Sequence, residues 1–141
     1  MTRANAIPGL VRDMTAAWNA HDAERLLAFY SPEYEGSDVC EAAPQRGLAD
    51  ARRSIEQYLR AFPGAEVTIE DTLVEDDRLV VVWRARGKHQ GTMLNIPATG
   101  REVEVCGVSV LTTRDGKVIR ARQVWDVAAL LRSIGLLPEL L

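Results

Sequence analysis

The sequence predicts an α+β fold in which one curved antiparallel sheet wraps around N-terminal helices. Apolar residues recur at helical spacing as far as residue 62, and from residue 66 they alternate with polar residues at strand spacing. Helices grouped ahead of antiparallel strands favour α+β over alternating α/β folds. The length of 141 residues is that of one domain, spanning 1–141. We therefore expect a cone-shaped α+β barrel with one internal pocket between sheet and helices.

Three helices are predicted in the first half of the chain. The first presents an apolar face made of Ile7, Val11, Met14 and Trp18. Asp22 can N-cap a second helix, which Ser31-Pro32 stops. A short extended piece near 34–39 follows. The third helix carries an apolar face that consists of Leu48, Ala51, Ile55, Tyr58 and Phe62.

Four strands and a closing helix are predicted in the second half. The strands span 66–74, 79–89, 101–113 and 117–125. Asp76-Asp77 and Arg114-Asp115-Gly116 read as turns, and 91–100 as a loop. A helix over 127–134 is predicted to end at Gly135, which suits a C-cap.

Composition excludes several classes of function. The 17 Lys+Arg and 20 Asp+Glu give a net charge of −3 without a basic run, which argues against nucleic-acid binding. The most apolar run, 79–83, is too short to span a membrane, and the N-terminus does not resemble a signal peptide. Cys40 and Cys106 are therefore expected to be free thiols in a reducing cytoplasm.

The usual cofactor motifs are absent from the sequence. No Cys/His cluster has zinc-ligand spacing, and there is no phosphate-binding glycine loop or G-x-S-x-G motif. We therefore expect no metal and no cofactor. Any chemistry must then come from isolated acids, histidines and a shaped cavity.

Several segments, in this order and spacing, carry a resemblance to a known family. They are Trp18–Asp22 (WNAHD), Arg86–Thr92 (RGKHQGT), Ile96–Arg101 (IPATGR), Gly107–Val110 (GVSV), Asp115–Lys117 (DGK), Val124–Asp126 (VWD) and Leu130-Leu131. With them the chain resembles the SnoaL-like polyketide cyclases of the nuclear transport factor 2-like superfamily. The resemblance implies a cofactor-independent enzyme that acts on a hydrophobic aromatic polyketide, and a homodimer formed through the outer face of the sheet.

Asp126 and His89 are the predicted catalytic residues. Asp126 occupies the position of the acid/base aspartate in the cyclases that the chain resembles, but it also suits the N-cap of the last helix. His89 shares strand parity with Val81 and Trp83, so it can point into the pocket and donate to a carbonyl or exchange a proton. The alternative for His89 is a surface position at a strand end.

Ser109 departs from the family pattern. The cyclases carry a histidine here, whereas Ser109 cannot titrate near neutral pH, although it can hydrogen-bond a substrate oxygen. This departure leaves room for a related group of proteins that is implicated in cofactor-independent hydroxylation of anthracycline precursors.

The remaining candidates would shape the pocket. Large side chains that could contact a flat ligand, or simply fill the core, are Trp18, Tyr34, Tyr58, Trp83 and Met93. Gln123 is a candidate contact whose strand parity matches Trp125 and not Asp126, with the sheet surface as the alternative. His21 is expected to be solvated or to cap a helix.

Together these observations predict a polyketide cyclase. Asp126 would remove a proton from a carbon flanked by carbonyl and ester, and the enolate would attack an internal carbonyl and close a ring. His89 or Ser109 would stabilise the oxyanion. The alternatives are a hydroxylase-like enzyme that uses the same pocket, and a non-catalytic binding or scaffold protein in which Asp126 only caps the helix.

Overall fold

Four helices cover one face of a sheet. The computed structural model describes the backbone of residues 3–140 and the side chains of residues 9–140. Ile7, which was predicted to lie on the apolar face of the first helix, has its side chain outside this range. The helices are α1 (Arg3–Asn19), α2 (Ala23–Leu27), α3 (Gly47–Ala61) and α4 (Val127–Ser133). None of the helices described is long and apolar enough to cross a membrane.

The strands form one curved, open sheet of six strands in the order β2-β1-β6-β5-β4-β3. Their bounds are β1 (Tyr30–Asp38), β2 (Gln45–Arg46), β3 (Glu66–Glu75), β4 (Arg78–Lys88), β5 (Glu102–Arg114) and β6 (Lys117–Trp125). The predicted α+β class is confirmed, with the four long C-terminal strands within one or two residues of their predicted bounds.

The sheet is mixed, so the expectation of a purely antiparallel sheet was wrong. Strand β1 pairs with β6 in parallel, with Asp38 opposite Gln123. Short turns join β3 to β4 and β5 to β6, and the loop 89–101 joins β4 to β5, so these strands pair in antiparallel with their neighbours in the chain. Strands β1 and β6 are far apart in sequence, and no turn sets their relative direction. Strand β2 was not predicted, because two residues are too short to show an alternation.

The second helix is shorter than predicted, because β1 begins earlier. Asp22 caps α2 as predicted, accepting a hydrogen bond from the backbone N–H of Arg25 at 3.0 Å. The helix nevertheless ends at Leu27, and the carbonyl of Phe29 already accepts from the N–H of Val118 in β6 at 2.8 Å. At the other end of the chain, Gly135 follows α4 at φ 84° and confirms the predicted C-cap.

The core lies in two clusters on the concave face of the sheet. The larger one joins α1, α2 and α3 to the middle strands and includes Val11, Met14 and Ile55. The smaller one lies beneath α4 and includes Met93 and Leu130. A cavity remains between the sheet and the helices, where large side chains do not fill the concave face.

Candidate active site

The cavity has a volume of about 230 Å³, and α1, α3 and the concave face of the sheet form its walls. This volume lies somewhat below the usual range of ~300–1,000 Å³ for ligand pockets. The predicted site residues in its wall are Trp18, Tyr34, Tyr58, Trp83, Ser109 and Gln123. Two residues that sequence reasoning did not select, Asp38 and Trp125, also line it.

A row of polar side chains crosses the cavity wall. Asp38 on β1 lies opposite Gln123 on β6, and Gln123 lies opposite Ser109 on β5. Neighbouring strands are ~4.8 Å apart, and residues in one such row point to the same face. The sheet register therefore brings these three side chains to one side of the cavity. Gln123 therefore lines the cavity, and the alternative of a position on the sheet surface was wrong.

Two indole rings flank this row. Trp83 on β4 and Trp125 on β6 both lie opposite Gly107 on β5, on the concave face. A Cβ atom at Gly107 would lie 2.7 Å from the Cβ of Trp125 and would also clash with the Trp83 ring. A glycine is therefore required here, because only its missing side chain leaves room for both indoles.

Asp38 is the one acidic side chain in the cavity wall among the described residues, and it is buried. Its Oδ1 accepts from Nε1 of Trp125 and from the N–H of Cys40, both at 3.0 Å. Its Oδ2 accepts from the hydroxyl of Tyr58 at 2.6 Å. A carboxylate has about four acceptor positions, so Oδ2 retains one for a ligand.

Asp38 could have been found from strand parity. Tyr34, Gly36 and Asp38 alternate toward the interior along β1, with exposed residues between them. An acidic residue at an inward position of a strand is a signal for a functional carboxylate. The sequence predicts the extended segment 34–39, but the alternation within it was not used to assign Asp38 to the interior.

Tyr58 and Cys40 form a donor chain that ends on Asp38. Burial, and then the hydrogen bond to Asp38, raise the pKa of Tyr58 well above its ordinary value. Burial raises the pKa of the Cys40 thiol to about 12. Both groups therefore keep their protons at neutral pH. Since Tyr58 donates to Asp38, the thiol donates to the Tyr58 hydroxyl across 3.0 Å.

A second polar cluster stiffens the wall formed by β1 and α3. Tyr34 donates to Oε1 of Gln45 at 3.2 Å, and Nε2 of Gln45 donates to Glu41 at 2.5 Å and to Ser54 at 3.1 Å. Burial raises the pKa of Tyr34 and keeps its hydroxyl protonated. The Gln45 amide thus satisfies its donors and acceptor within the protein, and its role is to hold the wall.

Ser109 links Trp83 to Gln123. Nε1 of Trp83 donates to Oγ of Ser109 at 3.0 Å, and the Ser109 hydroxyl donates in turn to Oε1 of Gln123 through a short contact. The Ser109 hydroxyl is therefore engaged on both sides by its neighbours. Of these three hydrogen-bonded side chains, the Gln123 carboxamide is therefore the one that remains available to a ligand in the cavity.

His89 does not line the cavity formed by the described residues, so its predicted orientation was wrong. Strand β4 ends at Lys88, and strand parity does not extend into the following loop. His89 is fully buried against Phe62, with the ring centroids 5.7 Å apart. Its Nδ1 accepts from the N–H of Thr99 at 3.3 Å, whereas Nε2 has no partner among the residues described.

Asp126 also lies outside the cavity wall that the described residues form, and its side chain is exposed. Its Oδ1 accepts from the N–H of Ala129 at 2.9 Å, so it caps α4, as the alternative predicted. Strand β6 ends at Trp125, so the direction of the Asp126 side chain follows from its role as the N-cap of α4.

Two other placements differ from expectation. Met93 packs in the smaller core cluster beneath α4 rather than in the cavity wall. His21 was expected to be solvated or to cap a helix, but it is half-buried and lines the cavity. Its Nε2 lies 3.0 Å from the carbonyl oxygen of Ala65 and joins the α1–α2 turn to the start of β3.

Comparison with known proteins agrees with this architecture. The chain is 26% identical over 130 residues to the aklanonic acid methyl ester cyclase DnrD of Streptomyces peucetius, a match that covers 89% of this chain and 88% of the cyclase. It is 28% identical to the crystal structure of AclR, a proposed hydroxylase from Streptomyces galilaeus, with a TM-score of 0.86 over 99% of this chain and 86% of AclR.

A second solved structure is equally similar. TsrD from Streptomyces laurentii is 28% identical and superposes with a TM-score of 0.85 over 97% of this chain and 99% of TsrD. The family model for the SnoaL-like polyketide cyclase matches residues 9–134. The chain therefore belongs to the SnoaL-like polyketide cyclase family.

Proposed function

We propose that the protein closes a ring in an aromatic polyketide by an intramolecular aldol reaction without a cofactor. The observation that carries this proposal is the buried Asp38 carboxylate one strand away from the Gln123 carboxamide, in a cavity walled by indole rings. The carboxylate can accept a proton, the amide can donate to an oxyanion, and the indoles suit a flat apolar substrate. The cyclase named among the relatives supports the same reaction class.

The steps follow from these positions. Oδ2 of Asp38 takes a proton from a carbon flanked by carbonyl and ester groups, and Gln123 donates an N–H to the enolate oxygen. The enolate carbon then attacks an internal carbonyl, and a new carbon–carbon bond forms. The resulting alkoxide recovers the proton from Asp38, so the product is an isomer of the substrate.

These roles differ from the sequence-based assignment. Asp38 takes the place proposed for Asp126, because Asp126 is exposed and engaged in the cap of α4. Gln123 takes the place proposed for His89 or Ser109. His89 lies outside the cavity wall, and the Ser109 hydroxyl is already engaged by Trp83 and Gln123.

A hydroxylase-like reaction is the second candidate. Two observations favour it: the likeness to AclR, and Ser109 in place of the histidine that the cyclases carry. Asp38 is the one carboxylate in the described cavity wall, so the site has one carboxylate proton acceptor, and Ser109 cannot serve as a second acid/base group.

Product mass and oxygen dependence separate the two reactions. Purified protein should convert an aromatic polyketide carrying a β-keto ester into a cyclic isomer of unchanged mass, equally fast with and without oxygen. A product that incorporates ¹⁸O from ¹⁸O₂ would assign the hydroxylase reaction instead. If the substrate binds and is not converted under either condition, the binding-protein alternative is correct.

We also propose that the chain forms a homodimer in the cytoplasm. The two cysteines, Cys40 and Cys106, are unpaired, as in a reducing compartment. Val82, Val108 and Val124 lie side by side on the outer face of the sheet, opposite in parity to the indoles. Val124 is 46% exposed, which leaves an apolar patch for a second copy to cover.

Changing this patch should weaken the dimer. We expect Val124→Lys to shift the protein from dimer toward monomer in sedimentation experiments, because it places a charge in an apolar interface. Leu48→Lys is the matched control, since Leu48 is 38% exposed on α3, which packs on the opposite, concave face of the sheet. A wild-type protein that stays monomeric at the highest concentration reached would refute the dimer.

A further inference from the structure

We propose that Trp83 and Ser109 are positioning residues that orient the Gln123 carboxamide, so that the cavity selects a carbonyl oxygen at this point. The inference rests on the proposed function only in taking the cavity as the substrate site. It concerns which chemical group the wall recognises, and it can be tested by binding alone.

Two hydrogen bonds connect Trp83, Ser109 and Gln123. The indole N–H of Trp83 can only donate, so the Ser109 oxygen must accept at their distance of 3.0 Å. The Ser109 hydroxyl has one proton, and it donates that proton to the side chain of Gln123. The Gln123 atom that faces Ser109 is therefore the carbonyl oxygen Oε1.

This orientation leaves the amide nitrogen free. A glutamine amide can be turned either way, and its neighbours decide which atom faces outward. Gln123 is half-buried in the cavity wall. Its Nε2 keeps two N–H donors, and none of the described side chains or backbone carbonyls accepts from them. Because the nitrogen only donates, it favours a ligand that presents a ketone or ester carbonyl.

The neighbouring group on the wall has the opposite polarity. Asp38, directly across the β1–β6 pair from Gln123, only accepts when ionised. The wall thus offers a donor and an acceptor about one strand spacing, ~4.8 Å, apart. Without Trp83 and Ser109, the amide could turn its oxygen toward the ligand and repel a carbonyl.

Two tricyclic probes of the same shape test the selection: 9-fluorenone, which has a carbonyl, and fluorene, which has a methylene group in its place. The chain has three tryptophans, and Trp18, Trp83 and Trp125 all line the cavity, so intrinsic fluorescence reports on binding. We expect wild-type protein to bind 9-fluorenone more tightly than fluorene.

Ser109→Ala should weaken 9-fluorenone binding by about fivefold, the value of one ordinary hydrogen bond, and leave fluorene binding unchanged. Ser109→Thr keeps the hydroxyl and should restore the preference. Gln123→Glu, which replaces the donor with an acceptor, should abolish the preference altogether.

Three results would overturn the inference: unchanged 9-fluorenone binding by Ser109→Ala, equal weakening of both probes, or failure of Ser109→Thr to restore binding. If neither probe binds the wild-type protein, the aromatic cavity is refuted and the proposed function fails with it. If the selectivity is found but no ring closure occurs, only the proposed function fails.

Discussion

Replacing Asp38 with asparagine should lower turnover of an aromatic polyketide ester by a factor of about 100 or more, the usual loss when a general base is removed. The amide has nearly the volume of the carboxylate but cannot take a proton. It also has one acceptor oxygen for the three donors of Tyr58, Trp125 and Cys40, so some loss of stability should accompany the change. Turnover and a melting curve on the same sample separate these effects.

Asp126→Asn is the matched control for this experiment. Asparagine caps a helix about as well as aspartate, so we expect both turnover and melting temperature to stay near wild type. Asp126→Ala should cost ~1 kcal/mol of stability through loss of the cap to Ala129. If Asp126→Asn loses turnover and Asp38→Asn does not, the sequence-based choice of Asp126 as the base was correct and Asp38 is structural.

Replacing Gly107 with alanine should destabilise the protein by about 1–3 kcal/mol or more and weaken the binding of 9-fluorenone. The new methyl group would meet the Trp83 ring and would lie 2.7 Å from the Cβ of Trp125. The Cβ of Trp125 cannot withdraw without moving its backbone, and the Trp83 ring could withdraw only by changing its hydrogen bond to Ser109. Chemical denaturation measures the first effect and fluorescence titration the second.

Gly64→Ala controls for the general effect of adding a methyl group. An added Cβ at Gly64 has no heavy atom within 4 Å among those compared, and we expect unchanged stability and binding. A Gly107→Ala protein as stable as wild type would show that the indoles adjust easily. In that case the glycine would not be what shapes the cavity.

The parts of the fold predicted from sequence are those set by neighbouring residues. Strand β6 begins and ends where its alternation predicts, because a glycine turn and a helix cap bound it. The parallel pairing of β1 with β6 was missed, since it depends on where a distant segment docks. Local pattern carries no information about that choice.

The site residues divide in the same way. Trp83 and Ser109 both line the cavity, and they lie in the middle of long strands, where side-chain direction alternates regularly. His89 was misplaced because parity was extended past the end of β4. Strand parity along β1 would have pointed to Asp38, but its contacts with Tyr58 and Trp125, 20 and 87 residues away in the chain, could not be predicted from local pattern.

The parallel pairing of β1 with β6 has a consequence for how the site comes into being during folding. Hairpins β3–β4, β4–β5 and β5–β6 join segments that are adjacent in the chain, and they can form early. Docking β1 closes a much longer loop, at an entropic cost that is recovered only once its contacts are made. Asp38 meets Gln123 and Trp125 only at that step, so an intermediate with the four-stranded meander complete has no acid in its cavity.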